Sequence, residues 1–222
     1  MKTPILDTAR LRLRPIRSTD APRCQELFPH PEILKYMAAA IPWPYPDDGA
    51  VTYIETTLAD MAAETRYVWA ITLKDSLPSR EGPGVGPDPP FPGGKRGGGR
   101  GVDGDDLMIG CIDLFPNNPI DNRGFWLGLP YQRHGYMTEA VAAVNDFAFD
   151  VLGLGHLVLN NAEPNIGSHR LKEKAGATIL EVNDGVAYVG GVFRQIRWIL
   201  TREQWHANRE GFLNSKTAPP TS

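Results

Sequence analysis

The segment from Trp126 to Ala140 carries residues suited to chemistry, in a polar turn between a predicted strand and a predicted helix. Arg133, His134 and Gly135 lie in this turn, directly before the helix. The first N–H groups of a helix have no partner inside it, and they carry the positive end of its dipole. A phosphate or pyrophosphate binds well at such a helix start. The alternative is an ordinary turn that needs Gly135 only for its backbone angles.

A second polar pair lies thirty residues after Gly135. Asn165 and Ser168 open a short predicted helix. Both residue types cap free N–H groups at helix starts, a role that needs no ligand. Their polar atoms also suit hydrogen bonds to a bound molecule, and the two roles can coexist. The spacing leaves capping and ligand binding open.

An aromatic and acidic loop lies earlier, in the sequence Pro42-Trp43-Pro44-Tyr45-Pro46-Asp47-Asp48. Its prolines exclude a helix. Aromatic walls beside carboxylates suit a cationic amine, so Trp43, Tyr45 and Asp47 are candidate substrate-binding residues. The other interpretation is that the rings cover the core and that Asp47 and Asp48 cap the next helix.

Hydrophobic patterning predicts the elements that position these groups. Alternation from Arg10 to Ile16 puts Leu11 and Leu13 on one face and the arginines on the other, which is typical of a half-buried strand. A spacing of about 3.6 from Tyr136 onward predicts a long amphipathic helix. The predicted order is β-α-α-β-β-β-α-β-α-β-β. Its later strands are expected over 67–73, 107–115, 125–129, 156–160, 178–182 and 192–200.

Glycine and proline are concentrated in one segment, because Pro78 to Gly104 holds 6 Pro and 10 Gly in 27 residues. Such a composition cannot bury enough apolar surface to order itself. We therefore predict one domain over 1–207, interrupted by a disordered insertion over 76–106, with a flexible tail over 208–222. The insertion lacks the spacing of a P-loop. RNA binding through its basic part is an alternative that deletion of residues 78–104 would test.

Composition and charge exclude several classes of protein. The formal net charge of −3 lacks the basic excess that nucleic-acid binding needs. The cysteines, Cys24 and Cys111, lie too far apart for a paired metal motif and do not form a disulfide framework. No apolar run approaches the roughly 20 residues of a membrane helix, and the N-terminus lacks an apolar signal segment. We expect a cytoplasmic enzyme or binding domain with neither nucleic acid nor a membrane as partner, and leave a homodimer open.

Three motifs together resemble one known family. They are Gln132-x-x-Gly135 followed by Tyr-x-Thr-Glu-Ala, the helix opening Asn165-x-x-Ser168, and the early strand Arg10-Leu11-x-Leu13-Arg14. The chain resembles the GCN5-related N-acetyltransferases, and within them the branch of ribosomal-protein N-terminal acetyltransferases. The resemblance covers about residues 8–205 without the insertion. It implies a single α/β (α+β) domain with a mixed, mostly antiparallel sheet, helices on both faces, and splayed fourth and fifth strands.

The resemblance also implies a co-substrate, acetyl-coenzyme A, and no metal. In such a family member, backbone amides of the turn hold the pyrophosphate, and the fourth strand pairs with the pantetheine arm, one N–H polarising the thioester carbonyl. Asn165 would bond the arm, and Ser168 would help to protonate the departing thiolate. The implied coenzyme-binding residues are Leu127, Leu129, Gln132, Arg133, His134, Gly135, Tyr136 and Asn165.

The reaction that the resemblance implies is direct attack of a primary amine on the thioester, so the amine must first lose a proton. Candidate bases are Glu163, which follows the fifth predicted strand, and Asp113, on the third. Counting from Ser168, the position of the family's usual acid falls near Ala187 and Tyr188, which leaves Tyr188 as a relay.

Acceptor choice in this fold comes from the loop between the first two helices and from the last hairpin, so the resemblance also favours a pocket at Trp43, Tyr45 and Asp47. A protein N-terminus and a small-molecule amine both remain open as acceptor. A succinyl donor and a non-catalytic acyl-coenzyme A-binding module are the alternative functions.

Overall fold

The computed structural model describes residues 1–74 and 107–214. The insertion predicted over 76–106 and residues 215–222 of the predicted tail lie outside these ranges. The strands are β1 (Leu6–Asp7), β2 (Leu11–Pro15), β3 (Tyr67–Leu73), β4 (Met108–Leu114), β5 (Arg123–Leu127), β6 (His156–Ala162), β7 (Thr178–Tyr188) and β8 (Gly191–Thr201). The α-helices are α1 (Ala21–Leu27), α2 (Pro31–Leu34), α3 (Gly49–Ala62), α4 (Tyr136–Asp146), α5 (Ile166–Lys174) and α6 (Arg202–Asn214).

The strands form two sheets that meet between β5 and β6. The first sheet has the order β1-β2-β3-β4-β5 and the second the order β6-β8-β7, and every pairing within them is antiparallel. The sheets are joined at one end, where Asn122 N–H donates to Val158 O at 2.7 Å and Val158 N–H donates to Asn122 Oδ1 at 2.6 Å. Beyond this junction the two strands separate, as the predicted fold requires.

Hydrophobic packing covers both faces of the first sheet. The central strands β3 and β4 are buried along almost their whole length, which explains their continuous apolar sequences. One core cluster joins the sheet to α4 and α6 through residues such as Trp69, Val144 and Trp205. A second cluster lies on the opposite face, under α1 and α3. The predicted class, an α/β domain with helices on both faces, is confirmed.

The C-terminal helix corrects the predicted start of the flexible tail. Residues 208–214 belong to α6. Trp205 and Phe212 lie seven residues apart on one face of α6, are almost fully buried, and pack edge to face with ring centroids 5.3 Å apart. Burial of these two rings holds the last turns of the helix on the core.

The early strand differs from its alternating pattern at one arginine. Leu11 and Leu13 are buried as predicted, but Arg14, expected on the wet face, is also buried. Its two Nη atoms donate to the carboxylate oxygens of Asp20 at 2.7 and 2.8 Å. The bidentate pair compensates both charges and permits the arginine inside the fold.

Candidate functional site

The turn before α4 presents unpaired backbone donors. Gly135 is the N-terminal cap of the helix, with φ +81° and ψ 3°, as predicted for the helix start. The first backbone bond of the helix runs from Glu139 N–H to Gly135 O at 3.1 Å. Among the described residues, the N–H groups of Arg133, His134 and Gly135 have no hydrogen-bond acceptor. Free N–H donors at the positive end of a helix dipole are suited to an anion.

Arg10, the residue directly before β2, places its guanidinium group beside this turn. Its Nη1 donates to His134 O at 2.9 Å, its Nε donates to Glu139 Oε2 at 2.8 Å, and its guanidinium lies 4.8 Å from the centre of the Tyr136 ring. Burial raises the pKa of Glu139, but hydrogen bonds from Thr8 and Arg10 outweigh it, so the carboxylate titrates below its usual range. The sequence pattern placed Arg10 on the wet face of a strand and in a family motif, but did not predict these contacts.

The turn itself is conformationally restrained. Arg133 has φ +68°, a left-handed conformation that costs about 1–2 kcal/mol for a residue with a side chain. His134 Nδ1 lies 2.8 Å from Gln132 O, and its ring stacks on Tyr136 with centroids 5.5 Å apart. The His134 ring is therefore held near the helix start, where the sequence placed it, and Arg133 is exposed beside it.

Leu127 ends β5 at the open side of the first sheet. Gly128 N–H donates to Ile109 O of β4 at 2.9 Å. Because successive residues of a strand direct their N–H and C=O groups to opposite sides, those of Leu127 point away from β4, toward the gap between β5 and β6. Gln132 Nε2 donates to Leu127 O at 3.0 Å. The Leu127 N–H is thus directed into the gap, as the pantetheine and carbonyl role requires.

Leu129 and Gln132 differ from their predicted geometry. The strand predicted over 125–129 ends at Leu127, and Leu129 begins a 3-10 turn closed by Tyr131 N–H to Gly128 O at 2.9 Å. Leu129 is therefore not a strand residue, because the chain turns at Pro130. Gln132 N–H already donates to Leu129 O at 3.2 Å, so its contribution to the site is its side-chain amide rather than its backbone N–H.

The start of α5 lies beside the end of β6. Asn165 caps the helix, with its side-chain oxygen accepting from Ser168 N–H at 3.2 Å, which confirms the capping interpretation. Ser168 is buried, and its Oγ accepts from Lys172 Nζ at 2.6 Å. Sequence analysis did not single out Lys172.

A cavity of about 30 Å³ lies between β5, β6, α4 and α5. Arg123, Asn145, Asn160 and Lys172 are its polar lining residues. Arg123 Nη1 donates to Asn145 Oδ1 at 2.6 Å, but Arg123 Nε and Nη2, Asn145 Nδ2 and Asn160 Oδ1 have no partner within the described residues. Burial lowers the pKa of Arg123 to about 10 and that of Lys172 to about 7.

A family model described as an acetyltransferase (GNAT) domain matches residues 10–178. The chain belongs to the GNAT family. This GNAT chain is 37% identical over 76 residues to Probable N-acetyltransferase YjcK of Bacillus subtilis (strain 168), a match that covers 32% of the chain and 42% of YjcK. The chain thus spans less than half the length of this curated relative.

Solved structures share the fold of this GNAT domain. Mycobacterium smegmatis RimJ in complex with CoA-disulfide has a TM-score of 0.71 at 13% identity, over 96% of each chain. Ribosomal-protein-S5-alanine acetyltransferase from Vibrio fischeri has a TM-score of 0.64 at 14% identity, over 91% of this chain and 98% of that one. The predicted resemblance to the GNAT family is confirmed, and structures from its ribosomal-protein branch share the fold.

The base candidates have different surroundings in this GNAT domain. Glu163 is exposed directly after β6, with Oε1 3.3 Å from Arg194 Nη1. Tyr188, at the end of β7, has a buried hydroxyl, and burial raises its pKa, although a side-chain hydrogen bond with Gln195 opposes the rise. Asp113 is buried and paired with Arg66, so it is committed to a structural ion pair.

The predicted acceptor loop divides into a packed part and an exposed part. Tyr45 packs edge to face on Phe28, with centroids 5.4 Å apart, and burial raises its pKa to about 12. Trp43 is 49% exposed and Asp47 is also exposed. Asp48 occupies the cap position of α3 but makes no capping bond with its side chain.

The cap of α3 comes from another helix. Gln25 of α1 accepts from Ala50 N–H at 3.0 Å and donates to Pro46 O at 2.9 Å. Its amide fixes the loop on both sides and replaces the Asp48 cap expected from the sequence. No local spacing signals this contact, because the partners are twenty-five residues apart.

Two segments expected to select the acceptor lie together. Val189 N–H donates to Met37 O and Gly190 N–H donates to Lys35 O, each at 3.0 Å. Ala38 and Tyr188 form a β-bridge. The chain after α2 thus pairs with the β7–β8 hairpin, so that Tyr188 lies beside this segment.

Residues 1–74 and 107–214 contain no cluster of three His, Cys, Asp or Glu side chains that could hold a metal ion. Across the same described ranges, no helix combines the length and apolarity needed to cross a bilayer.

Proposed function

We propose that this GNAT domain is an N-acyltransferase that moves an acetyl group from acetyl-coenzyme A to a primary amine by direct attack in a ternary complex. The observation that carries the proposal is the placement of two donor sets along one path. The free N–H groups of residues 133–135 lie at the start of α4, and the Leu127 N–H points into the adjoining gap between β5 and β6. The first set fits a pyrophosphate, and the second fits an extended arm that ends in a carbonyl.

The residues of the turn would bind and orient the donor. Arg133, His134, Gly135 and Tyr136 supply the N-terminal donors, and Arg10, ion-paired with Glu139, places its guanidinium group beside them. Asn165 lies at the edge of the same gap, with its amide nitrogen available to an amide group of the arm. Acetyl-coenzyme A supplies the activated thioester, and no residue of the chain needs to become acylated.

Chemistry would occur between the Leu127 N–H and Ser168, which opens α5 after β6. The Leu127 N–H would stabilise negative charge on the carbonyl oxygen as the amine adds, because a preorganised donor strengthens as charge develops. Ser168 Oγ would donate a proton to the departing sulfur. Glu163 would take the proton of the amine through water, or Tyr188 would relay it, accepting that proton as its hydroxyl passes its own to water.

The acceptor would approach from the side of the hairpin. The exposed Trp43 and Asp47 provide an aromatic face and a carboxylate for a cationic amine, while Tyr45 acts mainly by supporting the loop. A protein N-terminus and a small-molecule amine both satisfy this chemistry. RimJ and the S5-alanine acetyltransferase share the fold, which supports testing ribosomal-protein N-terminal peptides first.

Thermal unfolding and release of free thiol test the proposal together. We expect acetyl-coenzyme A to raise the midpoint of unfolding, and thiol release to require both donor and amine. Succinyl-coenzyme A in a parallel arm determines the donor. Stabilisation without thiol release against any peptide or amine would indicate a non-catalytic acyl-coenzyme A-binding module. Absence of both would overturn the proposal.

A further inference from the structure

A buried lysine lies directly behind the proposed proton donor. Lys172 follows Ser168 by one helical turn, and its Nζ donates to Ser168 Oγ at 2.6 Å. Lys172 is only 5% exposed, and it forms no ion pair with a carboxylate within the described parts of the chain. Its other neighbours are Ser168 O at 3.4 Å and the Phe125 ring, whose centre lies 6.0 Å from Nζ, so no carboxylate in contact balances the buried charge, which is unfavourable. Packing alone therefore gives no reason for a lysine at this position.

The groups around Lys172 come from four elements. Asp121 precedes β5 and Arg123 begins it, while Asn145 of α4 and Asn160 of β6 line the same cavity. The charged neighbours Asp121 and Arg123 thus have opposite signs. Four polar atoms of the cavity lining have no partner within the described residues. The cavity volume of about 30 Å³ can accommodate one or two water molecules, which need such partners.

We propose, as an inference that rests on the proposed function, that Lys172 is the proton source behind Ser168. As the amine nitrogen forms its bond to the acyl carbon, the C–S bond breaks and its electron pair goes to sulfur. The sulfur takes the proton of Ser168 Oγ, and Lys172 Nζ returns a proton to that oxygen. Lys172 becomes a neutral amine and regains its proton from solvent through the cavity. The proton lost by the attacking amine leaves separately through its base.

The electrostatics of the site fit this assignment. Burial lowers the pKa of Lys172 to about 7, Asp121 opposes this shift and Arg123 adds to it. A group with a pKa near neutrality both gives and regains a proton readily. Lys172 acts through Ser168, so it is a positioning residue rather than one that contacts the donor.

The thiol of bound coenzyme A reports on this arrangement directly. A bound thiolate and the Lys172 ammonium stabilise each other, so formation of the thiolate keeps Lys172 charged, and ultraviolet absorbance should show a thiol pKa below the free value of about 8.5 in the wild-type complex. Lys172→Met should restore the free value without changing the Kd for coenzyme A. Lys174→Met, which removes an exposed lysine of the same helix, should match the wild type.

Measurements of kcat distinguish proton donation by Lys172 from the effect of its charge alone. We expect Lys172→Met to lower kcat at least about tenfold and to remove the loss of kcat that the wild type shows above the Lys172 pKa. Lys172→Arg should keep a low thiol pKa but not recover kcat, because arginine does not release its proton.

Two outcomes have different meanings. Coenzyme A that binds the wild type with an unshifted thiol pKa overturns the role of Lys172, even if Lys172→Met does not fold. Failure of coenzyme A to bind the wild type overturns the proposed function and, with it, this inference.

Discussion

The side-chain amide of Gln132 donates to the backbone oxygen of Leu127 at 3.0 Å and so ties the turn before α4 to the end of β5. This contact fixes the anion-binding donors relative to the gap. Gln132→Ala should weaken coenzyme A binding about fivefold, because a neutral hydrogen bond contributes about 1 kcal/mol. Calorimetric titration measures the change. Gln132→Glu keeps the size but not the donor, and wild-type affinity in that variant would show that the donor does not order the turn.

Gly135 tests the backbone of the helix start. Gly135→Ala places a side chain at φ +81°, within 3.3 Å of Arg10 Nη2, and should lower stability by about 1–2 kcal/mol and weaken coenzyme A binding. Gly153→Ala is the matched control, because φ is +71° there and the nearest atom is 3.8 Å away. Urea unfolding should show a loss in both variants, and titration a loss of affinity only in the first. Equal affinities would contradict the role of Gly135.

Arg10 tests the charge beside the turn. Arg10→Ala removes the bonds to His134 and Glu139 and should raise the Kd for coenzyme A about tenfold, with a weaker dependence on salt. Arg12→Ala, on the exposed face of the same strand, serves as control. If the two variants bind alike, the effect belongs to net charge and not to the geometry of the turn.

The cavity predicts an unusual dependence of stability on pH. Burial lowers the pKa of Lys172 from 10.5 to about 7, so between these values the unfolded chain holds a proton that the folded chain lacks, and stability rises with pH. Burial raises the pKa of Asp121 from 3.8 to about 6, so between these values the folded chain holds the extra proton, and stability falls as pH rises.

Urea unfolding across this range measures both effects. Lys172→Met should flatten the alkaline rise and Asp121→Asn the acidic fall, while Lys174→Met should preserve both. A pH profile that Lys172→Met leaves unchanged would show that Lys172 titrates normally in the folded protein.

Trp43 tests the acceptor pocket. Trp43→Ala should raise the KM for the amine several-fold and leave the Kd for coenzyme A unchanged, because the exposed ring lies on the loop rather than at the turn before α4. Val51→Ala alters a comparably exposed side chain on α3 and should change neither constant. An unchanged KM in Trp43→Ala would place the acceptor elsewhere.

Local patterns in the sequence predicted the strands β2 to β8, the helices α1, α3, α4 and α5 and the helix start at Gly135, because periodicity and turn chemistry act over a few residues, but they missed β1, α2 and α6. Lys172 was missed because most residues of α5 are polar. Ser168, Leu171, Lys172 and Ala175 nevertheless follow the i, i+3, i+4, i+7 spacing of a buried face, and this signal could have found it. The contacts of Arg10 with Glu139 and of Gln25 with Ala50 join distant segments, which no local pattern encodes.

The packing of α6 has a consequence for biosynthesis. Trp205 Nε1 and Arg209 Nε both donate to Asp146 Oδ1, at 2.9 and 2.8 Å, so α6 holds the end of α4 opposite Gly135. A nascent chain still attached to the ribosome lacks this support until synthesis has passed Phe212. Until then the apolar surface of α4 that Trp205 and Phe212 later cover is open to chaperones and proteases. Folding of α4 is therefore expected to finish only after α6 has left the exit tunnel.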